Sequence, residues 1–219
     1  MTISPHYQRK AGAVYAEWQL RAMDALGAEA ARRFRPFVRD DDVCLDFGCG
    51  GGRILDLLES GKRIGVEPSE VPAEIARGRG IEVHPTLQDV GAGTVDVVIS
   101  NHALEHCQAP FQELASMMRV LKSGGRLVLV LPLEDWRRSR RFHPEDRNHH
   151  LFAWTPLLIG NLVTDAGFRV SSITIVRHAY PPGAGILWRH LPEFAFDGIC
   201  SAWSMIALMR QLRVVAERP

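Results

Sequence analysis

The feature that most constrains the fold is a glycine run placed directly after a short apolar segment. Residues 43–47 (VCLDF) have the length and composition of a buried strand, and residues 48–53 (GCGGGR) follow without a break. Apolar residues at helical spacing begin immediately after the run. Glycine adopts positive φ freely and lets a backbone approach a ligand closely. The sequence therefore predicts a strand, a tight turn and a helix, with the turn acting as a ligand cradle.

Strand and helix patterns alternate along most of the chain. Further strands are predicted at residues 63–67, 81–84, 95–100, 126–131, 168–176 and 211–217. Helical patterns separate most of them, as parallel neighbours require, because a parallel pair needs a crossover of about a dozen residues or more. The sequence thus predicts a doubly wound, Rossmann-like α/β fold. We expect a mostly parallel seven-stranded sheet, helices on both faces and an antiparallel last strand.

The pattern also divides the chain into an accessory segment and one domain. Residues 1–39 are mainly helical in pattern and form the predicted accessory segment, and residues 40–219 form the α/β domain. Two stretches interrupt the domain's regular pattern. Residues 134–154 are charged and rich in histidine, and residues 178–208 are rich in aromatic side chains. Both are predicted to be loops on the substrate side.

Charge and hydropathy give no sign of a nucleic-acid or membrane partner. The chain has 26 basic and 25 acidic residues, and its longest apolar runs fall well short of the roughly 20 residues of a spanning helix. Its first residues lack the apolar core of a signal peptide. The four cysteines include no C-x-x-C pair, so no zinc or redox motif is indicated. We expect a cytoplasmic protein that acts on a small molecule, without a bound metal.

Two known ligand fingerprints can occupy the position of the glycine run, and neither fits. A dinucleotide site needs glycine at the sixth position of G-x-G-x-x-G, where this chain has Arg53 or Leu55. The Gly-Lys-Ser/Thr of a phosphate-binding loop is absent. Asp46 instead precedes the first glycine by two residues, and its carboxylate repels a pyrophosphate but attracts an ammonium or sulfonium group. Glu67 ends the next strand and suits ribose hydroxyls, with a cap for the following helix as the alternative.

Four segments resemble those of class I S-adenosylmethionine-dependent methyltransferases, in particular the broad small-molecule group. They are residues 43–52 (VCLDFGCGGG), 64–69 (IGVEPS), 95–106 (VDVVISNHALEH) and 119–127 (RVLKSGGRL). The resemblance implies methyl transfer from S-adenosylmethionine to a small molecule, glycan or lipid precursor. It implies cofactor contacts from Asp46, Gly48, Cys49, Gly50, Glu67, Pro68, Thr86, Leu87, Asn101 and His102. A nicotinamide-dependent oxidoreductase or epimerase and a non-catalytic cofactor-binding module are the alternatives.

Three histidines are candidates for a catalytic base. His102 follows Asn101 directly and is predicted to face the cofactor cleft, while His149 and His150 end the charged loop after the fifth strand. Histidine titrates near neutral pH, and a base is needed only where the nucleophile must lose a proton. A solvated, internally salt-bridged loop is the alternative for residues 136–150. A metal site formed by His143, Asp146 and His149 is a further alternative.

Overall fold

A computed structural model gives the fold of the protein. Parts of the predicted accessory segment and of the charged loop lie outside the residues that it describes. The described residues are 4, 10–135, 137, 140–144, 146 and 148–219, with residues 10–16 described as backbone only.

Among the described residues, seven strands form one mixed sheet. The strands are β1 (Val43–Phe47), β2 (Lys62–Val66), β3 (Glu82–His84), β4 (Val95–Asn101), β5 (Leu121–Glu134), β6 (Arg169–Val176) and β7 (Met209–Glu217). Their order across the sheet is β3-β2-β1-β4-β5-β7-β6. Strands β1 to β5 are parallel, whereas β7 runs antiparallel to both of its neighbours. The predicted fold class is therefore confirmed, including the antiparallel last strand.

Helices cover both faces of the sheet and lie between most of its consecutive strands. In the described part of the chain they are α1 (Lys10–Arg32), α2 (Arg53–Asp56), α3 (Glu70–Gly78), α4 (Pro110–Val120), α5 (Pro156–Asp165), α6 (Ala184–His190) and α7 (Glu193–Ile206). None of the described helices is long and apolar enough to cross a membrane.

Alternate residues of each central strand face the two halves of the core. Leu45 and Phe47 of β1 belong to the cluster that contains residues of α4 and α5, whereas Cys44 belongs to the cluster that contains residues of α1, α2 and α3. This division follows from the two-residue period of a strand. A third, smaller cluster joins Leu26 of α1 to Phe196 of α7. Helix α1 is thus packed into the core rather than attached to its outside.

Strand β5 begins five residues earlier than the pattern predicts. Leu121 pairs with Val95, and the next recorded pair joins Arg126 to Val97, so the register shifts between them. Gly124 has a φ of +76° inside this bulge. The irregular backbone at Gly124 therefore lies within the strand instead of before it.

The sheet order places a crevice between β1 and β4. From β1 the chain passes to β2 on one side, and β4 lies on the other side. In an open parallel sheet, ligands bind beyond the carboxyl ends of the strands at such a reversal. Asp46 pairs with Ile99 in this sheet, so Asp46 and the end of β4 at Asn101 lie at the edge where a ligand is expected.

Candidate active site

A cleft lies at this edge of the sheet and contains about 470 Å³ of space open to solvent. The carboxyl ends of β1 and β4, the glycine loop and α1 form most of it, and the start of α2 and the residue after α3 complete it. The residues that line it are Gln19, Leu20, Met23, Asp24, Asp46, Gly48, Cys49, Gly50, Gly51, Arg53, Ile54, Arg79 and Asn101. Five of the predicted cofactor-binding residues are therefore brought together in one cleft.

The glycine loop turns sharply between β1 and α2. Gly48, Gly50 and Gly52 have φ values of +79°, +52° and +75°, a region that residues with a Cβ rarely adopt. At Gly52 space is also lacking, since a Cβ there would lie 2.4 Å from Cδ1 of Ile81 and 3.0 Å from Cβ of Ala76. Gly52 is therefore required both for its conformation and for the close packing of α3 behind the loop.

Replacing Gly52 with alanine is expected to destabilise the protein by about 2–4 kcal/mol, from left-handed backbone strain together with overpacking. Gly80→Ala is the matched control, because Gly80 has a φ of +76° but no neighbouring atom within 4 Å of a Cβ. The control is expected to lose only about 1 kcal/mol. Urea denaturation measures both free energies of unfolding, and equal losses would contradict the packing role of Gly52.

Asp46 places a buried carboxyl group beside the loop. It is 2% exposed, and burial, together with the nearby Glu67 carboxylate, raises its pKa to about 7. A cationic group entering the cleft would favour the ionised form of Asp46. Cys49 is also buried, and burial raises the pKa of its thiol well above the usual range. Cys49 is consequently a neutral packing residue in the loop.

Asn101 supplies a second acceptor in the same cleft. Its Oδ1 is buried and has no hydrogen-bond partner among the residues that the structure describes. A buried acceptor without a partner costs free energy that a ligand donor recovers. The carboxyl of Asp46 and the amide oxygen of Asn101 therefore fit a ligand that carries a positive charge and N–H donors, such as the amino-acid end of S-adenosylmethionine.

Glu67 connects the glycine loop to the start of α3. Its two carboxylate oxygens accept hydrogen bonds from the backbone N–H groups of Gly50, at 3.1 Å, and Ser69, at 2.8 Å. Burial raises the pKa of Glu67, and these hydrogen bonds oppose the rise. The capping contact considered as an alternative is therefore present. A ribose bound here would share the carboxylate oxygens of Glu67 with the backbone N–H groups of Gly50 and Ser69.

Pro68, Thr86 and Leu87, which are also predicted to contact the cofactor, are not among the residues that line the cleft. Pro68 follows Glu67 at the end of β2, and Thr86 donates its hydroxyl hydrogen bond to Asp89 at 2.7 Å. Leu87 is fully buried in the core, and its carbonyl oxygen accepts a hydrogen bond from the guanidinium of Arg119. The cofactor roles of Glu67, Pro68, Thr86 and Leu87 stay predictions.

Helix α1 contributes residues that the sequence did not indicate. A Cβ added to Gly51 would lie 2.6 Å from Cδ2 of Leu20, so the helix crosses directly over the loop. On the far side, Nε of Arg79 donates to the carbonyl oxygen of Gly51 at 2.9 Å. Residues 1–39 show only helical periodicity, and periodicity does not reveal which surface a helix covers.

A second group of polar side chains follows β4. His102 has a φ of +54°, and its Nδ1 lies 3.3 Å from Oε1 of Glu105, which is fully buried. The rings of His106 and His150 meet edge to face, with centroids 5.0 Å apart. His150 in turn contacts Glu134 through Nδ1. The structure therefore brings His102 and His150, two of the predicted catalytic residues, to one buried carboxylate.

Different charges surround the buried imidazole of His106 and the partly buried imidazole of His150. Burial lowers the pKa of His106 to about 4, although Glu105 opposes the change. Burial also lowers the pKa of His150, but Glu134 and Glu105 outweigh it and raise the net value. His149, the third predicted catalytic residue, has a φ of +44°, and its backbone N–H donates to Asp146 at 3.0 Å.

Comparison with known families identifies the chain. Residues 15–173 match the family described as methyltransferase domain, and the chain belongs to that family. Its cofactor is S-adenosylmethionine, as the resemblance predicted. The match begins inside α1 and extends into β6, so it includes both the cleft and the histidine cluster.

Two curated relatives and one solved structure show the range of this family. The mouse protein named "Probable tRNA methyltransferase 9B" is 28% identical over 153 residues, 64% of this chain and 33% of that protein. The ubiquinone biosynthesis O-methyltransferase of Vibrio parahaemolyticus is 32% identical over 95 residues, 38% of this chain and 40% of that protein. The chain spans about a third to a half of the length of the curated relatives it matches.

The solved structure is a Thermotoga maritima protein titled as a SAM-dependent methyltransferase and possible histamine N-methyltransferase. It superposes with a TM-score of 0.66 at 18% identity, over 93% of this chain and 95% of the other. At 18% sequence identity the structural similarity shows a shared fold, and it does not identify the methyl acceptor of this protein.

Proposed function

We propose that this protein transfers the methyl group of S-adenosylmethionine to a small-molecule acceptor that binds beyond Asn101. One observation carries the proposal: a buried carboxyl group and a buried, unpartnered amide oxygen, from Asp46 and Asn101, face one cleft beside a glycine loop. Neither group suits a pyrophosphate, because the carboxylate repels anions. Both suit the ammonium and sulfonium charges of the methyl donor.

Different residues of the cleft would contact different parts of the cofactor. Asp46 and Asn101 would accept from its amino-acid end, and the backbone of Gly48 and Gly50, which has no side chain to keep a ligand away, would lie along it. Glu67 would accept from the ribose at the end of β2. The bound cofactor supplies an electrophilic methyl carbon for in-line transfer, and the protein's main contribution is to align that carbon with the acceptor.

The acceptor side is assigned to residues 134–154 and 178–208, the two interruptions of the α/β pattern. The first follows β5, whose carboxyl end lies beside that of β4. The second contains α6 and α7, which pack on α1 next to the cleft. We favour a small molecule over a nucleic acid because the chain has a net charge of only +1, whereas nucleic-acid sites are strongly basic. Because the mouse relative is named as a probable tRNA methyltransferase, tRNA is the alternative acceptor that an experiment should include.

The roles of His102, His149 and His150 as catalytic bases stay predictions. Two observations support a catalytic role for this region. His102 directly follows Asn101, which lines the cleft, and His150 is held at the same place by Glu134. For His149 the described contacts connect it to Asp146 in its own loop.

Calorimetry on the purified protein tests the cofactor part of the proposal. We expect S-adenosylmethionine and S-adenosylhomocysteine to bind at one site per chain and NAD to give no heat, because Asp46 disfavours a pyrophosphate. Binding of NAD without S-adenosylmethionine would favour an oxidoreductase instead. A second experiment incubates the enzyme and a methyl-labelled donor with tRNA and with a small-metabolite extract. Label in the small-metabolite fraction is expected, and label in tRNA would overturn the acceptor class.

A further inference from the structure

The histidine cluster after β4 has the composition of a metal site. Glu105, His106 and His150 each offer one ligand atom, and the three atoms lie within 4.8 Å of one another. Glu105 and His106 are buried, and His150 is partly buried. We propose that these three residues bind a divalent transition-metal cation on the acceptor side of the active site.

Glu105 provides the first argument. Its side chain is fully buried, and neither carboxylate oxygen has a hydrogen-bond partner within the described part of the chain. Nδ1 of His102 lies 3.3 Å from Oε1, and although burial raises the pKa of Glu105, the imidazoles of His102, His106 and His150 together hold it below the usual range. A buried carboxylate is costly unless it is paired or coordinates a metal. A bound cation would pair with this carboxylate through one of its oxygens.

The second argument comes from the groups that orient the two histidines. Nδ1 of His150 is held by the carboxylate of Glu134, which leaves Nε2 available to a metal. The imidazole of His106 is hydrogen-bonded to the backbone of His149. A histidine that binds a metal usually donates its other ring N–H to a carboxylate or a backbone carbonyl in this manner. Both histidines therefore already have the outer contacts of metal ligands.

The ligand set indicates the kind of cation. Two imidazoles and one carboxylate are ligands that suit zinc and iron, and they leave coordination positions open. Magnesium and calcium are less suited because they prefer oxygen ligands. Leu104–His106 form a 3₁₀ turn that follows Asn101 closely. If the proposed function holds, an acceptor oxygen would occupy an open position, and the cation would lower the pKa of its hydroxyl.

A second cluster in the protein shows what distinguishes a metal site from an ion-pair network. Glu29, His178 and Asp197 also bring ligand atoms within 4.8 Å of one another. There, however, Arg33 donates to both oxygens of Glu29 at 3.0 and 2.7 Å, and Arg32 donates to both oxygens of Asp197 at 3.1 and 2.6 Å. Guanidinium groups thus occupy the carboxylates. No arginine contact of this kind is recorded for Glu105 within the described residues.

Metal binding to untagged, chelator-treated protein tests the proposal directly. Zn²⁺ and Mn²⁺ are titrated against a chromogenic chelator, and bound metal per chain is measured by mass spectrometry. We expect one equivalent of Zn²⁺ and a rise in Tm of about 5–10 °C at a hundredfold excess over Kd. Glu105→Gln and, separately, His150→Ala should each weaken binding at least about 100-fold, because each removes one of three ligands.

Two control variants locate the binding. His178→Asn removes a ligand from the other cluster, and His84→Ala breaks an exposed pair in which Nε2 of His84 lies 2.8 Å from Glu82. Both are expected to bind metal like the parent protein. Wild-type protein that takes up no metal, Glu105→Gln protein that binds as tightly as the parent, or loss of binding in His178→Asn would each overturn the proposal.

S-adenosylhomocysteine binding, measured on the same samples, separates this proposal from the proposed function. Retained S-adenosylhomocysteine binding by Glu105→Gln and His150→Ala shows that both variants are folded, so their loss of metal supports the site. If one of the two variants fails to fold, metal binding by the other variant and the metal content of the parent protein test the proposed site. Metal binding without any S-adenosylhomocysteine binding in the parent would refute the proposed function and leave the metal site supported.

Discussion

Replacing Asp46 with asparagine is expected to stabilise the ligand-free protein and to weaken its binding of S-adenosylmethionine. At pH 8 the buried carboxyl is ionised in the folded state at a cost that its raised pKa measures. Removing the charge should raise the free energy of unfolding by about 2–4 kcal/mol. The same change removes the counter-charge for the cofactor, so affinity should fall about 10- to 100-fold.

The pH dependence follows from the direction of the shift. The pKa of Asp46 is raised from 3.8 to about 7 in the folded state. Below about pH 4 both states hold the proton, and the ionisation cost is absent. Between about pH 4 and pH 7 the unfolded state ionises first, so stability falls as pH rises, and above about pH 7 the full cost remains. The asparagine variant should lack this slope.

The affinity for S-adenosylmethionine should rise as pH rises, whereas the stability of the ligand-free protein falls. Binding a cation requires ionised Asp46, so affinity for S-adenosylmethionine should fall up to about tenfold per unit as pH drops below 7. Other charged groups around the cleft modify the size of this effect. They are Glu67 at the end of β2, Asp24 on α1, Arg53 on α2 and Arg79 after α3.

Calorimetry and urea denaturation between pH 5 and pH 9 check both expectations. Asp24→Asn is the matched control, because Asp24 lines the same cleft but its side chain is 70% exposed. Its free energy of unfolding should change by less than about 0.5 kcal/mol. If Asp46→Asn destabilised the ligand-free protein at pH 8, or bound the cofactor as tightly as the parent, the assigned role of Asp46 would be wrong.

Replacing Arg33 with methionine is expected to destabilise the protein by about 3–5 kcal/mol, because it leaves a buried carboxylate without its cation. Glu29 is 1% exposed, and although burial raises its pKa, Arg33 lowers it below the usual range. Arg33 also donates to Gln211 of β7 at 2.6 Å and to the hydroxyl of Tyr180 at 2.9 Å. It therefore attaches α1 to β7 and to the segment before α6.

A double-mutant cycle measures this pair. Glu29→Gln combined with Arg33→Met should recover part of the loss, since no buried charge is then unpaired. Arg21→Met is the matched control on α1, which ends one residue before Arg33, because the Arg21–Glu17 pair is 79% and 66% exposed. Its cost should stay below about 1 kcal/mol. Equal costs for Arg33 and Arg21 would show that the buried pair does not hold α1 in place.

Local patterns were sufficient to predict the strands of the sheet. Residues 43–47 form β1 as predicted, because five residues of a buried strand end at a glycine that cannot continue it. Pro110 marks the start of α4 for the same kind of local reason. Residues 178–208 were predicted to be a loop, but they contain α6 and α7. The helices were missed because large apolar residues such as Phe194, Ile186 and Ile206 lie on their exposed faces. Such residues obscure the 3.6-residue period.

The sequence predicts the position of a site residue only where that position depends on residues close to it in the chain. Asp46, Gly48, Gly50 and Asn101 lie at strand ends, and the strand pattern itself brings them to one edge. Leu20 and Arg79 reach the loop through tertiary packing, which local periodicity does not encode. Glu105 belongs to a segment that the sequence singled out, but its burial among three histidines depends on residues after β5. The sequence therefore indicated that Asp46, Gly48, Gly50 and Asn101 lie close together, and it did not indicate the arrangement around Glu105.

The position of β7 has a consequence for how the chain assembles. β6 pairs only with β7 in the described sheet, and β7 inserts between β6 and β5 although it is synthesised after both. Until residues 209–217 are available, β6 has no partner and β5 has an open edge. Contacts between distant segments form slowly, and unpaired edges favour aggregation. Closing this gap is therefore expected to be a late step of folding and the stage at which misassembly is most costly.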